Sequence, residues 1–133
     1  MFKAKLAFEE AINAITPNIA TAYENVSFTP TINVPYQELY DIPSDNDHLF
    51  INSANYEALG VFQITLMYPS GKGTKDVSNR AELYVSSFPV GTKLTKDGVT
   101  VIVTDTPNIT HLGVSGDRYS VAVSINYKVY IKG

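Results

Sequence analysis

ALGVFQITLMYPSGKGTKDVSNRAELYVSSF, residues 58–88, decides how the rest of the chain has to be arranged. Gly60 to Tyr68 reads as a strand, with Phe62, Ile64, Leu66 and Tyr68 on one face and Val61, Gln63, Thr65 and Met67 on the other, because strand side chains alternate. A short glycine-bearing connection, Pro69 to Lys75, leads to a helix over Asp76 to Phe88. In that helix Val77, Ala81, Tyr84, Val85 and Phe88 recur at the spacing of a single apolar stripe. A strand with one apolar face, followed by a helix with one apolar stripe, needs further strands for the helix to cover.

Those strands lie on either side of it. Residues 2 to 15 form an amphipathic pattern, with Phe8, Ala11, Ile12 and Ile15 against Lys5, Glu9, Glu10 and Asn13, and Thr16-Pro17 stops the helix. Part of Ile19 to Phe28 reads as a strand. From Thr29 to Asn55 the chain carries Pro30, Pro35 and Pro43, so we expect a short strand near Tyr36 to Tyr40 and an exposed loop at Ser44 to His48. After the helix, Val90-Gly91 is a stop signal. Residues 93 to 105 read as a hairpin turning at Asp97-Gly98, Leu112 to Asp117 as a loop, and Tyr119 to Ile131 as a long half-buried antiparallel strand. The expected partners of the 58–68 strand are the 93–105 hairpin and the terminal strand, with the first helix beside the second. The fold class is therefore α+β, a mainly antiparallel sheet with two helices packed on one face. Nothing divides the chain, so 1–133 is expected to be a single domain.

Composition narrows the function. The 133 residues suffice to bury roughly 68–70% of the unfolded surface. The absence of cysteine excludes disulfides, thiolate metal sites and thiol nucleophiles. A net charge of -3 argues against nucleic acid as a partner, and no run approaches the ~20 apolar residues of a membrane span. The N-terminus, broken by Lys3, Lys5, Glu9 and Glu10, is not expected to be a secretion signal.

Catalytic signatures are weak. Pro69-Ser70-Gly71-Lys72-Gly73-Thr74 lies between a strand and a helix but fails the spacing of a phosphate loop, so a flexible connector is the better reading. Asp41, Asp45, Asp47 and His48 lack the glycine and terminal acid of a calcium loop. His48 and His111, the only histidines, sit in no metal-binding frame, and no serine lies in a nucleophile motif. No catalytic residue, metal or cofactor is expected. Nine tyrosines and six phenylalanines without a basic groove favour core packing and protein contacts over base stacking.

Several segments in order resemble the tail terminator proteins of long-tailed bacteriophages. They are Tyr23-Glu24-Asn25-Val26-Ser27-Phe28-Thr29-Pro30, then Gly60 to Ile64 running into Tyr68-Pro69-Ser70-Gly71-Lys72-Gly73, then Phe88-Pro89-Val90-Gly91-Thr92. The matching marks are aromatic-x-Asn-x-x-Phe-x-Pro (Tyr23, Asn25, Phe28, Pro30), Gly-x-Gly (Gly71, Gly73) and Phe-x-x-Gly (Phe88, Gly91); Tyr23 stands where tryptophan is the commoner residue. The resemblance implies a homo-hexameric ring that caps the tail tube, stops its polymerisation and offers a head-joining surface. It implies as partners the chain itself, the tube protein and a head-completion or connector protein, with neither membrane nor sequence-specific nucleic acid. It places the protein in the virion tail, and in the host cytoplasm during assembly. A connector, a tube subunit or a small phosphate-binding domain are the alternatives. Tyr36, Leu39, Tyr40, Lys72 and Lys75 are the expected assembly contacts, since the proline-rich stretch and the connector lack apolar residues to pack alone. Asn25, Phe28 and Pro30 are expected to shape the backbone instead.

Overall fold

The computed structural model describes residues 2–43, 50–51 and 55–132. The elements are α1 (Phe2–Asn13), β1 (Ala20–Ala22), β2 (Tyr36–Pro43), β3 (Phe50–Ile51), β4 (Asn55–Pro69), α2 (Lys75–Ser87), β5 (Lys93–Lys96), β6 (Val99–Val103), β7 (Asn108–Ser115) and β8 (Arg118–Lys132). They form one eight-stranded sheet in the order β1-β2-β4-β8-β6-β5, with β3 on β4 and β7 on β8. Only the β1–β2 pair is parallel.

The spine is the antiparallel pair of β4 and β8, matched over their whole length from Asn55↔Lys132 to Pro69↔Arg118. A strand has only two edges, so the other pairings fix the layout. On the far side of β4, β2 covers Gly60–Met67 and β3 continues at Tyr56 and Glu57. On the far side of β8, β6 covers Tyr127–Ile131 and β7 continues over Arg118–Ser124. Thus β6 and β7 are one line of backbone broken around Asp105, whose carboxylate accepts from the Asn126 side chain at 3.1 Å. The 93–105 hairpin therefore lies beside the terminal strand and not beside β4, a correction to the sequence reading. Both strands alternate, and alternation does not say which neighbour a hairpin takes.

One face of the sheet carries the core. Phe62, Ile64 and Leu66 stand opposite Ile125, Val123 and Val121, with Leu39 opposite Ile64, and all are buried. Against them α1 turns Ala4, Ala7, Phe8 and Ile12, and α2 turns Val77, Ala81 and Tyr84, each set at helical spacing. Phe8 stacks on Phe62 with ring centres 4.7 Å apart and touches Tyr127 and Phe88. Complete burial of such a side chain contributes about 1.5–3 kcal/mol, so this aromatic group is a large share of what fixes α1. The two helices share a face as expected, but each packs chiefly on strands, α1 on β2, β5 and β6, and α2 on β4 and β8.

Two further differences concern the loops. Leu112 to Asp117 is mostly strand: β7 runs to Ser115, Leu112 sits at a bulge between His111 and Gly113, and the turn is Gly116-Asp117. Its side chains are largely exposed on both faces, so hydrophobic alternation could not reveal it. The proline-rich stretch likewise yields a longer strand than expected, since β2 extends to Pro43. The loop expected over Ser44–His48, with Asp45, Asp47 and His48, lies outside the described residues.

Candidate functional site

Among the described residues, the face of the sheet away from the helices is crossed by other chain only at one end. There residues 23–35, which connect the parallel strands β1 and β2, cross over it. Asn25 takes a left-handed backbone (φ 57°), which asparagine tolerates better than most residues and which turns the chain after β1. Phe28 then packs on Tyr36 (5.1 Å between centres), and the Arg118 guanidinium lies 4.9 Å above the same ring. Arg118 is itself buried, and donates to the carbonyls of Thr31 at 2.8 Å and Val34 at 2.6 Å. With Val34 N–H bonded back to Thr31 at 3.1 Å, this is a pinned turn.

The crossover and β2 enclose an open groove of about 440 Å³ lined by Ala22, Tyr23, Glu24, Asn25, Val26, Phe28, Pro30, Tyr36, Glu38 and Tyr40. The structure thus gathers the first motif, Tyr23, Asn25, Phe28 and Pro30, around the same groove as Tyr36 and Tyr40. Burial, followed by the charge of Glu38, pushes the hydroxyls of Tyr36 and Tyr40 above the usual tyrosine range. They stay protonated and act as neutral hydrogen-bonding edges on apolar rings. Glu24 turns from the groove toward its own fold: its carboxylate accepts the Asp41 N–H at 3.0 Å and sits 3.5 Å from Lys5.

The other expected residues fall elsewhere. Leu39 is fully buried in the core and offers no surface for assembly; it lies one place from Tyr40 and three from the exposed Ile42, odd separations that put it on the opposite face of the strand. Phe88 is core, and Gly91 (φ 90°) bonds Val103 as the chain enters β5. Gly71 (φ 80°) and Gly73 (φ 74°) make the exposed connector a turn that a residue with a side chain would strain. Lys72 and Gly73 line a smaller recess of about 220 Å³ with Asn33, Pro35, Tyr68 and Asp76; Lys75 opens α2. Asp76 stands in the first helical turn, where a phosphate would meet its carboxylate, so the phosphate reading loses support. Sequence reasoning missed Arg118. A lone arginine entering a strand of alternating residues gave no signal of the loop it holds, eighty-four residues earlier at Val34.

Among the described residues no group of three or more histidine or acidic side chains could hold a metal, and no helix is long and apolar enough to cross a membrane. The described residues thus form a single-sheet α+β fold with helices on one face and an aromatic groove at one edge of the other. The chain belongs to the family of phage tail terminator proteins, whose pattern it matches over residues 3–127. The family is structural, not enzymatic, and makes the chain a component of the phage tail. A solved structure 24% identical in sequence superposes with a TM-score of 0.73, covering 96% of this chain and 89% of that one, so the two share a fold. No curated protein matches at a significant level.

Proposed function

We propose that copies of this chain close into a homo-hexameric ring on the end of a finished tail tube, stop its polymerisation and present a surface to a head-completion or connector protein. Residues 1–133 act in this as one unit, in the host cytoplasm during assembly and then in the virion tail. The observation that carries the reading is the family match across nearly the whole chain. The groove fits it: Tyr36 and Tyr40 supply rigid area with polar edges, the composition favoured at protein interfaces. Lys72, on the exposed connector beside Asn33 and Pro35, and Lys75, exposed at the start of α2, are proposed as rim contacts. Leu39 has no part in it.

A closed ring requires a head-to-tail contact between two different patches of each subunit. Mass measurement of the purified chain across concentration, alone and with tail tubes, tests this. A discrete ring, formed freely or on tube ends, is the expected result; a chain that stays monomeric and never associates with tube ends contradicts it.

A further inference from the structure

The large apolar side chains that the fold leaves in water lie mainly in two places. Of the nine exposed among the described residues, Val26, Ile32, Val34, Tyr40 and Ile42 belong to β2 or the crossover feeding it, and Leu112 and Val114 belong to β7. These are also the places where the sheet ends with backbone unpaired. β1 reaches only Tyr36–Glu38 of β2, so among the described residues Leu39–Pro43 has no strand on its outer side, and the N–H of Asp41 donates to the Glu24 carboxylate. On the opposite side, β7 pairs with β8 alone, leaving its other edge without a strand among the described residues.

The third exposed edge differs. β5 reads Lys93-Leu94-Thr95-Lys96, and charged edge residues of this kind discourage pairing with another chain. β7 reads Asn108-Ile109-Thr110-His111-Leu112-Gly113-Val114-Ser115, without lysine, arginine, carboxylate or proline. The bulge at Leu112 is its only interruption, and the strand brings no carboxylate to an edge already holding Glu24 and Glu38.

We propose that β7 of one copy adds as a strand to the β1–β2 edge of the next, so that the sheet continues from subunit to subunit. The proposal rests on the ring reading above and specifies its contact. Main-chain hydrogen bonds supply the attachment, as in other strand additions. The occupant is a second copy because the two edges that leave apolar side chains in water lie on opposite sides of one sheet, as a head-to-tail contact requires. Pairing of β7 with β7 would close a dimer and leave Val26, Tyr40 and Ile42 in water. Head-to-tail pairing brings both apolar sets together.

The chain has no cysteine, so engineered thiols report without background. The full chain carrying Tyr40→Cys and Leu112→Cys is treated with a flexible bismaleimide after its mass is measured. The expected result is a covalent ladder beyond the dimer, with Leu112→Cys alone giving no multimer. Leu112→Lys, at an exposed position, is expected to keep its melting temperature and circular dichroism while shifting from ring to monomer. Dimers from Leu112→Cys alone, or a Leu112→Lys chain that still forms the ring, overturn the contact and leave the ring reading intact. Wild-type chain that stays monomeric with tail tubes present overturns the ring reading first, and the contact with it.

Discussion

Gly60 and Tyr127 face each other across the β4–β8 ladder, and their fit depends on a missing atom. A Cβ on Gly60 would lie 2.6 Å from the Tyr127 ring. Without it the ring lies over β4 and its hydroxyl donates to the Asp41 carboxylate on β2, joining three strands. Gly60→Ala is expected to destabilise the fold by about 1–3 kcal/mol, the usual cost of overpacking, read as a lower midpoint in urea. Asp41 gives a test by pH. Burial, its largest influence, raises its carboxyl above the ordinary 3.8 despite the Tyr127 hydrogen bond. The folded state therefore binds this proton more tightly than the unfolded state, so the group favours folding most at pH values below 3.8 and loses that contribution as pH rises through the folded value. Asp41→Asn keeps an acceptor for Tyr127 and removes the ionisation. It is expected to flatten the decline in stability between pH 3.8 and neutrality, measured by denaturation at several pH values.

At the scale of elements, two buried arginines do work that apolar contacts do elsewhere. Arg80 on α2 donates to the Tyr84 hydroxyl at 3.0 and 2.8 Å and to the Pro17 carbonyl at 2.5 Å. Tyr84 donates to Gln37 on β2, and Gln37 donates to Thr21 on β1 at 3.0 Å. One chain of hydrogen bonds thus holds α2, the turn after α1 and the two strands at the β1 edge of the sheet. Tyr84→Phe leaves Arg80 and Gln37 each short of a partner in the interior, and is expected to cost about 1–3 kcal/mol in thermal or urea unfolding. Arg118→Met should free the Thr31–Val34 turn, seen as faster amide exchange at Val34, while α1 and α2 keep their protection.

These contacts also mark the limit of what the sequence discloses. The β4 and β8 faces and both helical stripes are legible because burial imposes a period on Phe62, Ile64 and Leu66, on Val121 to Val129, and on Val77, Ala81 and Tyr84. The groove is half legible: Tyr23, Asn25, Phe28 and Pro30 stand out as a motif, and Tyr36 and Tyr40 as aromatics beside prolines. Leu39 reads as a surface residue because its proline-rich neighbourhood hides the alternation that buries it. The fixing of the crossover by Arg118 and the strand character of β7 have no local pattern. The first is a single long side chain reaching distant carbonyls, and the second is backbone pairing with little burial.

For the whole molecule, the central claim is that this member of the tail terminator family ends tube growth by capping it. The sheet suits the proposed ring because its helix-covered face carries the core of a single chain, while among the described residues the outer sides of Leu39–Pro43 and of β7 have no strand beside them. The most direct measurement is electron microscopy of particles assembled without the protein. Overlong tails lacking heads are the expected result; tails of normal length joined to heads, or no tails at all, would contradict the claim, the last by pointing to a tube subunit.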